Sequence, residues 1–177
     1  MASSSNTDYS LKSRTNKSRR KTNIKCLQLN LQHSRAATSN LPQIILQYNL
    51  DIVFVQEPYT ILNNVAGVPK SFRIFAHGSD RKRSAIIVNN NEDDVMAITQ
   101  VSNEDVILTE IRYEGPTFFG ASLYLPIDSD IERDLEKVDI LQLTKRDGLI
   151  LAIDSNATSK LWFDSAQIPG EEHWRNS

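Results

Sequence analysis

The chain has 177 residues, of which 40% are hydrophobic and 24% are charged, proportions that are ordinary for a globular protein with a packed core. Its single cysteine excludes an internal disulfide and a zinc site built from several cysteines, and no apolar run reaches the roughly 20 residues needed to cross a bilayer. The formal net charge of −2, from 20 Lys and Arg against 22 Asp and Glu, argues at first against a nucleic-acid partner.

The net charge conceals a basic segment at residues 1–23, which carries six Lys or Arg and one acidic residue, whereas the rest carries 14 basic and 21 acidic side chains. Because residues 1–23 contain few apolar side chains, we predict a disordered basic tail before one domain at residues 24–177. The tail lacks the apolar stretch of a signal peptide, which predicts an intracellular protein, nuclear or cytoplasmic. Its run Arg19-Arg20-Lys21 fits a nuclear address, a nucleic-acid arm or a solvated tail.

The first part of the domain reads as a strand, a helix and a second strand. Ile24–Leu31 alternates apolar and polar side chains, as a strand does, and Asp51–Val55 is a compact apolar run typical of a strand buried on both faces. Between them, Ser34–Leu50 has apolar residues at helical spacing, with Ser34 as a cap. Pro42 leaves open that the regular helix begins there. This order predicts two parallel strands with a right-handed crossover.

The middle of the chain predicts mainly antiparallel sheet, because short strand-like runs follow one another with turn-forming residues between them. A further helix is predicted at Asp130–Thr144, and a buried strand at Leu149–Ile153. The fold class is therefore α/β. The strands predicted in the middle are Phe72–Phe75, Ser84–Val88, Asp94–Ile98, Asp105–Tyr113 and Thr117–Leu125.

Polar side chains stand where several of these apolar strands end. In open α/β sheets, such positions converge on one edge, where ligands and catalytic groups gather. Carboxylates and carboxamides gathered at one edge suit Mg²⁺ and the hydrolysis of a phosphoester. The alternative is that each residue only caps a helix or forms a turn. The polar positions are Asn30, Gln56-Glu57, Tyr124, Asp154 and Asn156.

Four segments carry a resemblance to a known family. They are LQLNLQHSRAA (27–37), DIVFVQEPY (51–59), GASLYLP (120–126) and LILAIDSNATSKLW (149–162). Their order and spacing resemble the signature segments of the endonuclease/exonuclease/phosphatase superfamily. They are most similar to the apurinic-type endonuclease domain of non-LTR (LINE-like) retrotransposons.

This resemblance implies a two-sheet α/β sandwich with flanking helices and a Mg²⁺-dependent cleavage of DNA phosphodiesters, with Mn²⁺ as a possible substitute. In such retrotransposons the cleavage nicks chromosomal DNA and leaves a 3′ hydroxyl that primes reverse transcription. The implied partners are double-stranded DNA and a reverse transcriptase fused in the full-length protein. The resemblance implies neither a membrane nor a small-molecule cofactor.

The resemblance also implies roles for five residues. Glu57 resembles the family's metal-binding glutamate, and Asn30 the asparagine that supports the metal and the neighbouring phosphate. Tyr124 resembles the tyrosine that contacts the scissile phosphate or the leaving group. Asp154 resembles the aspartate that orients or deprotonates the attacking water, and Asn156 the asparagine that holds the phosphate. The expected metal ligands are Glu57, Asn30 and Asp154.

The sequence departs from the family pattern in two ways. Ile153 stands where the family has glycine, and Ser155 where it has an aromatic residue. The family also ends in an Asp-His pair that is absent from this sequence, and none of the three histidines lies in a matching motif. We therefore expect a domain incomplete at its C-terminus, with weak or no activity alone. A superfamily phosphatase with another phosphoester substrate, and a non-catalytic nucleic-acid-binding or pseudogene remnant, stay open as alternatives.

Two further features have a structural and a functional interpretation. The basic run Arg81-Lys82-Arg83 fits contacts with a phosphate backbone, but a solvated loop is the favoured interpretation. Cys26 lies in a predicted strand, where we expect it to pack rather than to react.

Overall fold

The computed structural model describes residues 23–79, 81–89, 94–112, 117–126 and 148–156. The tail residues 1–22 and the predicted helix at 130–144 lie outside these ranges. The described residues form the helix α1 (Arg35–Tyr48) and ten strands. The strands are β1 Cys26–Asn30, β2 Ile52–Gln56, β3 Thr60–Ile61, β4 Asn64–Val65, β5 Arg73–Phe75, β6 Ser84–Val88, β7 Asp94–Ala97, β8 Val106–Arg112, β9 Thr117–Tyr124 and β10 Gly148–Asp154.

Eight of these strands form two four-stranded sheets that pack face to face. The first sheet has the order β1-β2-β6-β5, with β1 and β2 parallel and the other pairs antiparallel. The second has the order β10-β9-β8-β7, with β10 and β9 parallel and the rest antiparallel. Strands β3 and β4 form a separate hairpin that the sequence did not predict. The predicted α/β sandwich, its parallel opening pair and its antiparallel middle are confirmed.

Helix α1 begins at Arg35, so the alternative start at Pro42 is wrong. Ser34 adopts an extended backbone, and its hydroxyl accepts a hydrogen bond from the Ala37 N–H at 3.2 Å. The first turn is thereby satisfied ahead of the proline, which lies inside the helix. Asn49 ends the helix in the left-handed conformation, with a φ of 52°.

Apolar layers cover both faces of the first sheet and stabilise the sandwich. Side chains of α1 pack on the outer face of the first sheet, and a second layer fills the space between the sheets. Each fully buried Val, Leu, Ile or Phe side chain contributes about 1.5–3 kcal/mol relative to exposure. Every residue of β2 and β6 is buried, as expected for central strands covered on both faces. Buried members of the layer between the sheets are Ile52, Phe54, Ile86, Val88, Val95, Ile107, Ile111 and Ala152.

The interpretation of Cys26 as a packed residue is wrong, because the residue is exposed at the start of the edge strand β1. Partial desolvation by neighbouring atoms and the negative charge of Asp51 nevertheless raise the pKa of its thiol to about 11. The thiol is therefore protonated at neutral pH and a poor nucleophile, as expected. No helix within the described ranges is long and apolar enough to cross a membrane.

Candidate active site

The carboxyl ends of both parallel strand pairs lie at one edge of the sandwich. Because β1 and β2 run parallel and in register, Asn30 and Glu57 leave adjacent strands side by side. In the second sheet, Tyr124 at the end of β9 is paired with Asp154 at the end of β10. A hydrogen bond from Asn30 to Asp154 joins the two sheets. The structure therefore brings together four of the five site residues predicted from the sequence.

The side-chain amide of Asn30 connects the two carboxylates. Its nitrogen Nδ2 donates to Glu57 Oε2 at 2.9 Å and to Asp154 Oδ2 at 2.5 Å. Its oxygen Oδ1 accepts a hydrogen bond from the backbone N–H of Gln32 at 2.7 Å, which turns the amide nitrogen toward the carboxylates. One neutral donor thus reduces the repulsion between two negative groups that the fold places close together.

The backbone around Glu57 is fixed in an uncommon conformation. Glu57 has a φ of 48°, in the left-handed region. Its N–H donates to the carbonyl of Arg83 at 2.8 Å, and its own carbonyl accepts from the N–H of His33 at 2.7 Å. The ring of His33 reaches the same residue, with Nε2 at 3.1 Å from Glu57 Oε1, while Nδ1 lies 3.2 Å from the carbonyl of Pro58. Both oxygens of the Glu57 carboxylate are therefore held.

The phenol of Tyr124 lies beside the Glu57 carboxylate in the lining of one cavity. Desolvation raises the pKa of Tyr124 above its ordinary value, and the neighbouring Glu57 carboxylate raises it further. The negative charge of Asp154 acts in the same direction, whereas the positive charge of Arg83 lowers the pKa. The phenol is protonated at neutral pH and can donate a hydrogen bond to an anionic ligand.

Asn156, the fifth predicted residue, lies just beyond the end of β10. Its Nδ2 donates to the carbonyl of Leu125 at 3.0 Å, and its φ is 43°. The neighbouring bond from the Leu125 N–H to the carbonyl of Asp154 at 2.8 Å ties the ends of β9 and β10 together. Asn156 is thus fixed at the same edge, and its role in holding a phosphate stays a prediction.

A cavity of about 500 Å³ opens beside Glu57 and Tyr124. Arg81 and Arg83 of the basic run Arg81-Lys82-Arg83 both line this cavity. The favoured interpretation of that run as a solvated loop is wrong for Arg83, whose side chain is held in an ion pair. The Arg83 guanidinium pairs with Asp105, and its exposed fraction is 37%. The cavity is lined by His33, Glu57, Arg81, Arg83, Glu104 and Tyr124.

The oxygen donors at this edge fit Mg²⁺ better than a transition metal. In the part of the chain that the structure describes, no group of three or more His, Cys, Asp or Glu could hold a metal ion. The Glu57 and Asp154 carboxylates both accept a hydrogen bond from Asn30 Nδ2 and therefore lie close together. Mg²⁺ is commonly bound by one or two carboxylates together with waters. Because Asn30 presents its nitrogen to the carboxylates, it positions these two groups in the structure. Its role as a direct ligand stays a prediction.

Comparison with known proteins places this site in context. No family model matches the chain. The chain is 26% identical over 153 residues to the 115 kDa protein in the type-1 retrotransposable element R1DM of Drosophila melanogaster, a match that covers 84% of the chain and 15% of that protein. It is also 26% identical to the solved endonuclease domain of TRAS1, a telomere-specific non-LTR retrotransposon. The two structures superpose with a TM-score of 0.68, covering 79% of this chain and 62% of the TRAS1 chain.

A third similarity concerns the fold alone. An endonuclease/exonuclease/phosphatase family protein from Bacteroides thetaiotaomicron is 12% identical, with a TM-score of 0.50 over 74% of this chain and 60% of that chain. The fold is that of the endonuclease/exonuclease/phosphatase superfamily, and the sequence is similar to proteins of non-LTR retrotransposons. The chain spans less than two thirds of the length of each of these three relatives.

The sequence did not predict that three further residues, His33, Arg83 and Asp105, lie at this site. The prediction considered only the carboxyl ends of strands, whereas Arg83 and Asp105 come directly before β6 and β8. Since these strands run antiparallel to β2 and β9, their amino ends lie at the same edge. His33 was set aside because its motif context differs from that of the family's histidine. Its position three residues after Asn30, at the end of β1, was the available signal.

Proposed function

We propose that this domain hydrolyses phosphodiester bonds of double-stranded DNA in the presence of Mg²⁺, and that in its retrotransposon it nicks the site where reverse transcription starts. One observation carries the proposal. The Asn30 amide holds the carboxylates of Glu57 and Asp154 together beside the protonated phenol of Tyr124. The name of the 26% identical TRAS1 domain, an endonuclease domain, supports the same reaction.

The residues at this edge match the needs of an in-line displacement. Asp154 aligns a water molecule and accepts its proton as the water oxygen bonds to phosphorus. The bond between phosphorus and the 3′ oxygen breaks, and this oxygen takes a proton from water, which leaves a 3′ hydroxyl and a 5′ phosphate. Tyr124 and Asn156 donate hydrogen bonds to the phosphate while negative charge develops on it.

Glu57 and Asp154 are the proposed ligands of Mg²⁺, with Asn30 holding the two carboxylates in place. Bound Mg²⁺ supplies positive charge that offsets the charge gathering on the phosphate oxygens. In the structure the Glu57 carboxylate accepts a hydrogen bond from Asn30, and its other oxygen lies 3.1 Å from His33 Nε2. These contacts keep it oriented toward the edge where the substrate phosphate would lie.

The proposed biological setting follows from the relatives. The R1DM protein is several times longer than this chain. We propose that in the full-length protein this domain is fused to a reverse transcriptase. The substrate would then be chromosomal DNA, which the protein meets in the nucleus. The basic segment at residues 1–23 would add salt-dependent, sequence-independent attraction to DNA.

Relaxation of supercoiled plasmid tests this proposal, because one nick per molecule is sufficient for detection. We expect nicking that requires MgCl₂ and is abolished by EDTA, because the proposed metal ion offsets charge on the phosphate. Glu57→Ala and Asp154→Asn should each reduce the rate by at least about 100-fold, because each removes a charged group from the reacting centre.

Arg112→Met serves as the control, because Arg112 lies at the end of β8 away from the site and forms an exposed ion pair with Asp94 of β7. It should nick like the parent chain. Nicking at the same rate in the parent and in Glu57→Ala would show that the activity does not come from this site. Cleavage of small phosphoesters or RNA in preference to duplex DNA would replace the proposed substrate with another of the same superfamily.

A further inference from the structure

Two charged residues that no motif singled out as a pair meet at the edge of the candidate active site. Arg83 directly precedes β6 and Asp105 directly precedes β8, so they belong to different sheets. Both strands run antiparallel to the neighbours that carry the site, which brings their amino ends to the same edge as Glu57 and Tyr124. The cavity beside the site is lined by Arg83, Glu57 and Tyr124.

The contact between Arg83 and Asp105 is a two-pronged ion pair. Arg83 Nε lies 2.5 Å from Asp105 Oδ1, and Nη2 lies 2.8 Å from Oδ2. The side chains are 37% and 18% exposed, so the pair is partly shielded from water. This geometry fixes the plane of the guanidinium, which a single hydrogen bond would not do.

The fixed guanidinium lies over the ring of Tyr124, with Cζ at 5.5 Å from the ring centroid. This distance is within the range of a cation–π contact. The backbone of Tyr124 is tied to the same partner, since its N–H donates to the carbonyl of Asp105 at 2.8 Å. That carbonyl also accepts from the hydroxyl of Ser84 at 2.7 Å. Both the backbone and the ring of Tyr124 are therefore located by the Arg83–Asp105 pair.

Arg83 is also connected to Glu57, the residue beside the Tyr124 phenol. Its carbonyl accepts the N–H of Glu57, at the position where Glu57 adopts its left-handed backbone conformation. The side chain of Arg83 thus orients the tyrosine, while its backbone orients the glutamate that lines the same cavity as the tyrosine. A surface ion pair that only adds stability would not need contacts with both residues.

We propose that Arg83, clamped by Asp105, is a positioning residue that holds the Tyr124 phenol against Glu57 in the geometry required for phosphodiester hydrolysis. The inference rests on the proposed function for its catalytic meaning, but the positioning itself is a property of the free protein. Arg83→Met removes the charge and the fork while keeping an unbranched side chain. Asp105→Asn leaves Arg83 in place and weakens its clamp.

The first test observes Tyr124 directly, without DNA. In protein labelled with ¹³C at the ε carbons of tyrosine, the Tyr124 signal is assigned by its loss in Tyr124→Phe. We expect Arg83→Met and Asp105→Asn to shift this signal in the same direction, toward the value of a solvent-exposed tyrosine. Arg112→Met removes another ion-paired arginine and should leave the signal unchanged. An unchanged Tyr124 signal in both site variants would overturn the proposal.

The second test separates positioning from DNA binding by steady-state nicking. Arg83→Met and Asp105→Asn should lower kcat about 10-fold and change KM by no more than about twofold, because the phenol is displaced while the binding surface stays. Arg83→Lys keeps the charge but cannot form the two-pronged contact, so its kcat should lie between those of the parent and Arg83→Met. A raised KM with an unchanged kcat would instead make Arg83 a direct DNA contact and overturn the proposal.

The two tests separate this inference from the proposed function. If the chain does not nick DNA, the NMR shift alone decides whether Arg83 positions Tyr124. If the chain nicks DNA and the Tyr124 signal does not respond to Arg83 or Asp105, the function stands and the inference fails. Should Arg83→Met not fold, Asp105→Asn gives the same readout with a change of one side-chain atom.

Discussion

At the scale of single residues, the site depends on one amide that satisfies two anions. Glu57 and Asp154 come from different sheets, and the fold places both against Nδ2 of Asn30. A neutral donor is suited to this position because a cationic side chain would neutralise the charge that a metal ion needs. A third carboxylate there would add repulsion. The hydrogen bond from the Gln32 N–H to Asn30 Oδ1 selects the orientation in which the nitrogen faces both acids.

The ionisation of Tyr124 provides a prediction at this scale. Desolvation and Glu57 raise the pKa of its phenol in the folded protein. The phenol therefore stabilises the fold at pH values below the unfolded pKa of about 10, and this stabilisation is lost as the pH rises through the higher folded value. In Glu57→Gln we expect the pKa of Tyr124 to fall toward 10, measured as the titration of its ¹³Cζ signal.

Glu110→Gln is the matched control for this titration. Glu110 lies on β8 and contacts the exposed Arg112 at 3.9 Å, so its charge should not affect the phenol. A pKa of Tyr124 that is the same in the parent and in Glu57→Gln would contradict the influence of the Glu57 charge on the phenol.

At the scale of elements, the β3–β4 hairpin shows where local sequence and local backbone disagree. Its two turn residues, Leu62 and Asn63, have φ values of 48° and 60°, as in a type I′ turn. Asparagine is favoured in such a turn, whereas leucine in the left-handed region costs about 1–2 kcal/mol. The side chain of Asn63 donates to the carbonyl of Ser79 at 2.7 Å, which anchors the turn to the loop before β6. Leu62 itself is 90% exposed and gains little from packing.

Replacing Leu62 with asparagine should therefore stabilise the domain. We expect Leu62→Asn to raise the free energy of unfolding by about 1 kcal/mol, measured by denaturant titration. The same substitution at Leu46, which is 65% exposed on the right-handed helix α1, should lower it by about 0.5 kcal/mol. Equal effects of the two substitutions would contradict the left-handed conformation of Leu62.

At the scale of the whole molecule, the site exists because two sheets are held in register under it. Gln56, fully buried at the end of β2, donates from Nε2 to Ser122 Oγ at 3.0 Å and to the carbonyl of Ala152 at 3.4 Å. The Ser122 hydroxyl in turn donates to the carbonyl of Val55 at 3.1 Å. This polar bridge joins the first sheet to both parallel strands of the second, directly below the active-site edge.

The bridge should be sensitive to loss of one partner and tolerant of loss of both. Ser122→Ala removes the acceptor of Gln56 and the donor to Val55, so we expect the free energy of unfolding to fall by about 1–3 kcal/mol. Gln56→Met in the same chain also removes the buried Oε1 of Gln56, which has no hydrogen-bond partner, and should restore part of the loss. If the double variant lost as much free energy of unfolding as the two single variants together, or more, a coupled bridge would be contradicted.

Much of the fold was predictable because its apolar patterns are local. The strand at Ser84–Val88 has the predicted bounds, and the buried run at Asp51–Val55 differs from β2 by one residue. The β3–β4 hairpin was not predicted, since its strands have two residues each and its turn begins with leucine. The helix start at Arg35 depended on a capping contact of Ser34 that spacing alone did not rank above Pro42.

The sequence by itself determined the α/β class and the polar residues at the strand ends, because periodicity and strand termini are read within a few residues, whereas the two-sheet sandwich was implied by the family resemblance. Only the tertiary structure decided which of these residues meet and how they are oriented. The Asn30 amide joins residues 27 and 124 positions away in the chain, and the contacts of Arg83 with Asp105 and Tyr124 span both sheets. Such contacts depend on the register and the facing of the two sheets, which arise from the packing of the whole core rather than from any local pattern.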